Sequence, residues 1–260
     1  MRIIISFILS LSLAVAVIGQ QGVVPFVSHG VVVGGVENGK WLSAKETVSL
    51  IDSKIEMFLI GPAGLKKEVL IGTKGDMSEV CEETRFVDFD GGVYPVAVGS
   101  NISWDPFPRR SRPISVSNKD YQKAVSDVLK AKGVASPKVK ITQIFQVDLE
   151  GDGTDEVLIT ANYYKGGEME VPVPGDYAFT LLRKIVDGKP QNVILNGEFF
   201  TEPDDYPPPN TREIVFVADL NGDGKMEVWL NVHYYEGHWN EIIEVNETNT
   251  VVAVTMECGL

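Results

Sequence analysis

The run Asp219-Leu-Asn-Gly-Asp-Gly-Lys-Met-Glu227 places oxygen-bearing side chains at alternate positions. Asp219, Asn221, Asp223 and Glu227 stand at positions one, three, five and nine. Gly224 at six allows a sharp turn, and the carbonyl of Lys225 at seven can point inward. Hard divalent cations take about six to eight oxygens, and a tight loop of this pattern supplies them. A second run, "DLEGDGTDE", offers Asp148, Glu150, Asp152, the Thr154 carbonyl and Glu156 around Gly153. One loop gathers four carboxylates and the other three with an amide. Packed so closely, they repel unless a cation neutralises them. Asp, Asn and Gly also build ordinary hairpin turns, but two copies of one ladder favour metal, with calcium the expected ion. Position twelve holds Ile159 or Leu230, so the bidentate Glu of an EF-hand is missing.

Such loops need elements to hold them. "IFQVDLEGDGTDEVLITANYYKG" aligns without gaps on "VFVADLNGDGKMEVWLNVHYYEG". One offset relates Asp148 to Asp219, Glu156 to Glu227 and Tyr163 to Tyr234, which marks a duplicated unit. Each loop runs into an alternating, strand-like segment rather than a helix. Val157, Ile159, Ala161 and Tyr163 share one face, as do Val228, Leu230, Val232 and Tyr234, and these are expected core. The opposite face carries Leu158, Thr160, Asn162 and Tyr164, or Trp229, Asn231, His233 and Tyr235. It is expected to be partly exposed. Either loops cover it, or Asn231, His233 and Tyr235 bind a sugar or peptide. "RFVDFDGGVYPVAVG" keeps Asp88 and Asp90 and reads as either a degraded third copy or a loop between strands.

The two loops resemble the Asp-x-Asp/Asn-x-Asp-Gly-x-x-Asp/Glu loops of the FG-GAP and VCBS repeat families. The Phe-Gly and Gly-Ala-Pro signatures are not found around them, and position three of the first copy is Glu150. The resemblance implies calcium held between adjacent strands of propeller-like blades, and an extracellular role in adhesion or ligand binding. A closed propeller usually needs at least about four blades. The expected fold is therefore mainly β, at the border of α+β: antiparallel sheets with β-hairpin calcium loops, blade-like repeats and one or two helices, rather than a closed propeller.

Residues 24–102 read as a mostly-β domain of short β-branched runs bounded by Gly or Pro. One helix interrupts it at "WLSAKETVSLIDS", where Ser43 and Glu46 form a capping box. The Pro-rich stretch 103–116 reads as a connector. In the C-terminal domain, 117–260, "SNKDYQKAVSDVLKAKGV" predicts a helix capped by Ser117, with Tyr121, Val125, Val128 and Leu129 on one face and Gly133 as its stop.

Residues 1–19 read as a signal peptide: one Arg, a long apolar run, then small residues before Gln20-Gln21. The expected location is secreted, periplasmic or extracellular, with no membrane insertion after cleavage. The 260 residues carry a net charge of −13, which repels phosphate backbones and argues against nucleic-acid partners. Cys81 and Cys258, the two cysteines, either close a disulfide in an oxidising compartment or remain free thiols. No nucleophile elbow, helical zinc motif or phosphate loop is present. His233 and His238 differ by five, which on one strand puts them on opposite faces. Asp204 and Asp205 are an adjacent acid pair in a Pro-rich loop. The function expected is an exported calcium-binding module, adhesion-like or structural, with an extracellular protein or carbohydrate as partner. The alternative is a secreted hydrolase carrying non-catalytic calcium repeats.

Overall fold

The computed structural model describes residues 22–61, 64–77, 84–90, 96–167, 170–202, 210–246 and 250–259. The signal segment, Cys81 and the Asp204–Asp205 pair lie outside them, and so does the choice between a Cys81–Cys258 bridge and two free thiols. Strands β1 (Val24–Ser28), β2 (Val31–Glu37) and β3 (Lys40–Ser43) lead into helix α1 (Ala44–Leu50). Then come β4 (Lys54–Gly61), β5 (Gly64–Met77), β6 (Arg85–Phe89) and β7 (Ala97–Gly99). The short β8 (Arg112–Pro113) and helix α2 (Lys119–Ala131) precede two runs of four strands. The first is β9 (Ile141–Val147), β10 (Glu156–Tyr163), β11 (Tyr177–Val186) and β12 (Lys189–Phe199). The second is β13 (Thr211–Ala218), β14 (Glu227–Tyr234), β15 (Gly237–Val245) and β16 (Thr250–Gly259). The chain is mainly β, its pairings are antiparallel, and it is not a closed propeller.

In the N-terminal half the pairings run β1-β7-β4-β5-β6-β2 and return from β2 to β1, closing a six-stranded barrel with β3 attached to β2. Val27, Val32, Met57, Val87, Phe89 and Ala97 fill it beside Val48 and Ile51 of the α1 segment. The α1 capping box is present as expected, with the Glu46 carboxylate accepting from the Ser43 amide at 2.8 Å. The Asp88–Asp90 stretch is not a third copy. β6 pairs with β5 and β2, whereas β7 pairs with β1 and β4, so the two form no hairpin.

Helix α2 starts one residue later than the Ser117 cap predicts. Asn118 is the cap, its Oδ1 accepting from the amides of Asp120 and Tyr121, while the Ser117 hydroxyl bonds Ser115 instead. Gly133, at φ +93°, ends it as expected.

Both repeats are four-stranded meanders, β9-β10-β11-β12 and β13-β14-β15-β16. The shared offset ends at Gly166 and Gly237 because the returns differ: β14 returns through Tyr235 and Glu236 alone, whereas β11 begins only at Tyr177. The two blades are stacked between other elements. Ile159 and Ala161 pack on Val125, Val128 and Leu129 of α2. On the other face, Leu158 and Leu182 meet Val228, Leu230 and Ile243 of the second blade. Beyond it, Trp229, Phe216 and Ile242 pack on Val24, Phe26 and Val33 of the barrel. The stack corrects one expectation. The face opposite the predicted core is not half-exposed, because each blade is covered on both sides. Leu158, Thr160, Asn162, Trp229 and Asn231 are all buried, Tyr164 is half-buried, and His233 and Tyr235, at and just beyond the end of β14, are exposed.

Residues 103–116 join halves that share a core, since the barrel and the second blade contribute to one apolar cluster. No helix among the described residues is long and apolar enough to cross a membrane.

Candidate metal centre

The two loops, between β9 and β10 and between β13 and β14, close in the same way. In the second, Asp219 accepts from the amides of Gly222 at 2.7 Å and Gly224 at 3.0 Å, one through each carboxylate oxygen. In the first, Asp148 accepts from Gly151 and Gly153 at the same distances. Position five turns back on position seven: Asp223 accepts from the Lys225 amide and Asp152 from that of Thr154. Position nine reaches back to position two, as Glu227 accepts from Leu220 and Glu156 from Leu149. The glycines at positions four and six hold φ near +80° in both loops, a conformation L side chains rarely adopt.

The stretch 103–116 fastens both loops from outside. Trp104 donates its indole N–H to the Asp219 carbonyl at 2.8 Å, and the Pro106 carbonyl accepts from the Asp219 amide. Arg109 donates to the carbonyls of Asp148 and Leu149 in the first loop and Gly224 in the second. The Met226 amide donates to the Leu149 carbonyl, tying loop to loop directly.

The loops differ in what the third strand of each blade brings. β10 and β11 pair Val157 with Arg183, and one step further along the ladder stand Glu156 and Lys184. β14 and β15 pair Val228 with Ile243, and one step further stand Glu227 and Glu244. In the first blade the Lys184 ammonium donates to Glu150 Oε2 at 2.7 Å, an ion pair whose side chains are 7% and 10% exposed. In the second blade the Glu244 carboxylate accepts instead, from Asn221 Nδ2 at 3.3 Å and from Trp41 Nε1 of β3 at 2.9 Å.

The second loop is thus left with surplus negative charge. Asp223, Glu227 and Glu244 each offer an oxygen within 4.8 Å of the others. Burial first, and then Asp223, Asp219 and Glu244, push the Glu227 carboxyl up to about 8 against the lowering effect of the Leu220 amide. Burial raises Asp219 as well. Burial also lifts Glu156, to about 7, although Lys184 pulls the other way. A cation of oxygen-binding type fits the second loop, where acidic oxygens converge with no basic side chain ion-paired to them among the described residues. It fits the first less well, because Lys184 already sits on the position-three carboxylate.

Glu244, Lys184, Arg109 and Trp104 were not among the residues singled out by sequence. Glu244 was within reach: a two-residue turn at Tyr235–Glu236 folds β15 back so that it faces Glu227. Nothing local marks Arg109. Of the suggested ligand-binding residues, Asn231 is 2% exposed and points into the packed interior, separate from His233 and Tyr235. The same turn corrects the histidine reading. His233 and His238 lie on two strands as a directly opposed pair, not on opposite faces of one.

Comparison with family models, with curated proteins and with solved structures finds no match to the chain.

Proposed function

We propose that the chain is an exported calcium-binding protein that serves as a binding or structural module of the adhesion type. The convergence of Asp223, Glu227 and Glu244 in the second loop carries this reading. Like charges facing each other across a ladder are destabilising, and a divalent cation turns that repulsion into attraction. Asp219, Asn221, Asp223, the Lys225 carbonyl, Glu227 and Glu244 would hold it, a set of hard oxygens suited to calcium. In the first loop, with Asp148, Glu150, Asp152, Thr154 and Glu156, the Lys184 ammonium stands in for part of that charge. The likeness of both loops to FG-GAP and VCBS repeats supports the same assignment. So does the signal-like sequence at residues 1–19, which would deliver the chain to calcium-rich surroundings. An extracellular protein or carbohydrate is the class of partner such a module takes.

Titration calorimetry tests the reading. Calcium should bind at about 10⁻⁴ to 10⁻³ M, as extracellular sites do, and Asp223→Ala with Glu244→Ala should abolish the heat. Absence of calcium heat in the wild type, with melting unmoved by a chelator, would make both loops plain turns.

A further inference from the structure

The chain has three histidines, at positions 29, 233 and 238. They are far apart in sequence, yet the fold brings all three together. His29 sits at the tip of the β1–β2 turn, and His233 and His238 oppose each other across the β14–β15 hairpin. The ring centroids of His29 and His238 are 4.8 Å apart, those of His233 and His238 6.1 Å, and those of His29 and His233 6.4 Å. Three imidazoles on one tetrahedral ion, bound at about 2.0–2.1 Å, have centroids separated by roughly 5 Å.

We propose that His29, His233 and His238 form a site for a divalent transition metal of the zinc or copper class, separate from the acidic loops. Imidazole nitrogen suits these ions and does not suit calcium. The cluster has features that a ligand set needs. His238 Nε2 is buried and finds no hydrogen-bond partner among the described residues. His29 Nδ1 lies 2.9 Å from the hydroxyl of the buried Ser28, a contact that orients the ring and leaves Nε2 to bind. Burial and the neighbouring imidazoles favour the neutral, lone-pair-bearing form of His29 and His238, with Glu213 opposing this at His29. His29 holds φ +53°, a left-handed backbone uncommon outside glycine.

His29 and His233 are solvent-exposed, so an ion can enter from the rim. The three nitrogens do not meet at one point as the rings stand, since the carboxylate trio is the group that converges among the described residues. Binding therefore turns the exposed His233 ring, the most distant of the three, toward His29 and His238. Three protein ligands leave the fourth tetrahedral position to water.

The experiment is zinc titration of the untagged full chain in a large excess of calcium, which keeps the second acidic loop occupied. Cobalt(II) is the spectroscopic probe, because nitrogen ligands in a tetrahedral site give strong visible absorption. One zinc per chain is expected. His233→Ala, an exposed position, and His29→Asn, which tolerates the left-handed backbone, should each weaken binding at least tenfold without moving the melting temperature of the metal-free protein. Wild-type protein that takes up no zinc, or variants that bind as tightly as wild type, would overturn the site and leave three rings packed against one another.

Discussion

Lys184 and Glu244 occupy the same ladder position in the two blades, each one step beyond a matched pair, Val157–Arg183 in one and Val228–Ile243 in the other. Opposite charges at equivalent places give the first loop a cation of its own and leave the second with three converging carboxylates, which on the proposed reading draw an ion from solution. Exchanging the two residues should exchange the behaviour. Glu244→Lys should keep the fold and remove calcium dependence from the second loop. Lys184→Glu should make the first loop calcium-dependent, so the variant unfolds more readily in chelator and binds one more ion than wild type. Calorimetric stoichiometry and melting with and without calcium read both outcomes.

Lys184→Met tests the ion pair itself. It leaves the Glu150 carboxylate buried with its partner gone, and one of its oxygens, Oε1, already has no hydrogen-bond partner. Breaking a buried pair from one side costs about 3–5 kcal/mol. Millimolar calcium should return part of that loss, measured as the shift in denaturant midpoint. A variant as stable as wild type would show that the pair contributes nothing net.

Arg109→Ala removes a guanidinium that serves three backbone carbonyls in two loops. A hydrogen bond from a charged donor contributes about 1.5–3 kcal/mol, and partial exposure brings the loss on truncation toward the lower end. Because Arg109 spans both loops, calcium affinity in the second should fall although none of its side-chain ligands has changed. Arg109→Lys should rescue poorly, since an ammonium lacks the planar fork.

The pH dependence of the calcium-free protein follows from Glu227. Its native carboxyl titrates at about 8, above the ordinary value of 4.5. Between those values the native state holds a proton that the unfolded chain has released, so stability falls as pH rises through the window. Calcium-free protein should melt lower at pH 8 than at pH 5.5. Saturating calcium should flatten or invert the trend, because the ion favours the ionised carboxylate. Scanning calorimetry at the two pH values, with and without chelator, decides it. Equal melting points without calcium would mean that the raised Glu227 does not outweigh the opposing contribution of the depressed His29 and His238.

Trp229→Ala probes the seam between barrel and blade. The indole is fully buried, with ring centroids 4.9 Å from Phe216 and 6.1 Å from Phe26, and its N–H donates to Asn240. Truncation of such a side chain costs about 3–5 kcal/mol. Since Phe26 belongs to the barrel and Phe216 to the second blade, unfolding should remain one transition, shifted down. A split into two transitions would mean that the halves unfold apart.

The loops were legible because their chemistry is local: spacing, glycine placement and a repeated ladder sit within nine residues. The α1 capping box was legible for the same reason. The face assignment at Asn231 failed because alternation tells which residues share a side, not what covers it. Here a second blade and a barrel cover sides that a lone sheet leaves to water. The Ser117 cap failed on a choice between adjacent cap-forming residues, settled by the bond between Ser117 and Ser115. The grip of Arg109 depends on a path through space that no periodicity encodes.

The blade stack ends in unlike neighbours, α2 on one side and the barrel on the other. In a ring of blades, each sheet is closed by another of its kind, and the count is fixed by geometry. Here two foreign pieces terminate the series, much as end units terminate a solenoid. The faces of the two blades are consequently spent on internal contact, and what a blade offers to the outside is its rim of loop ends and strand edges.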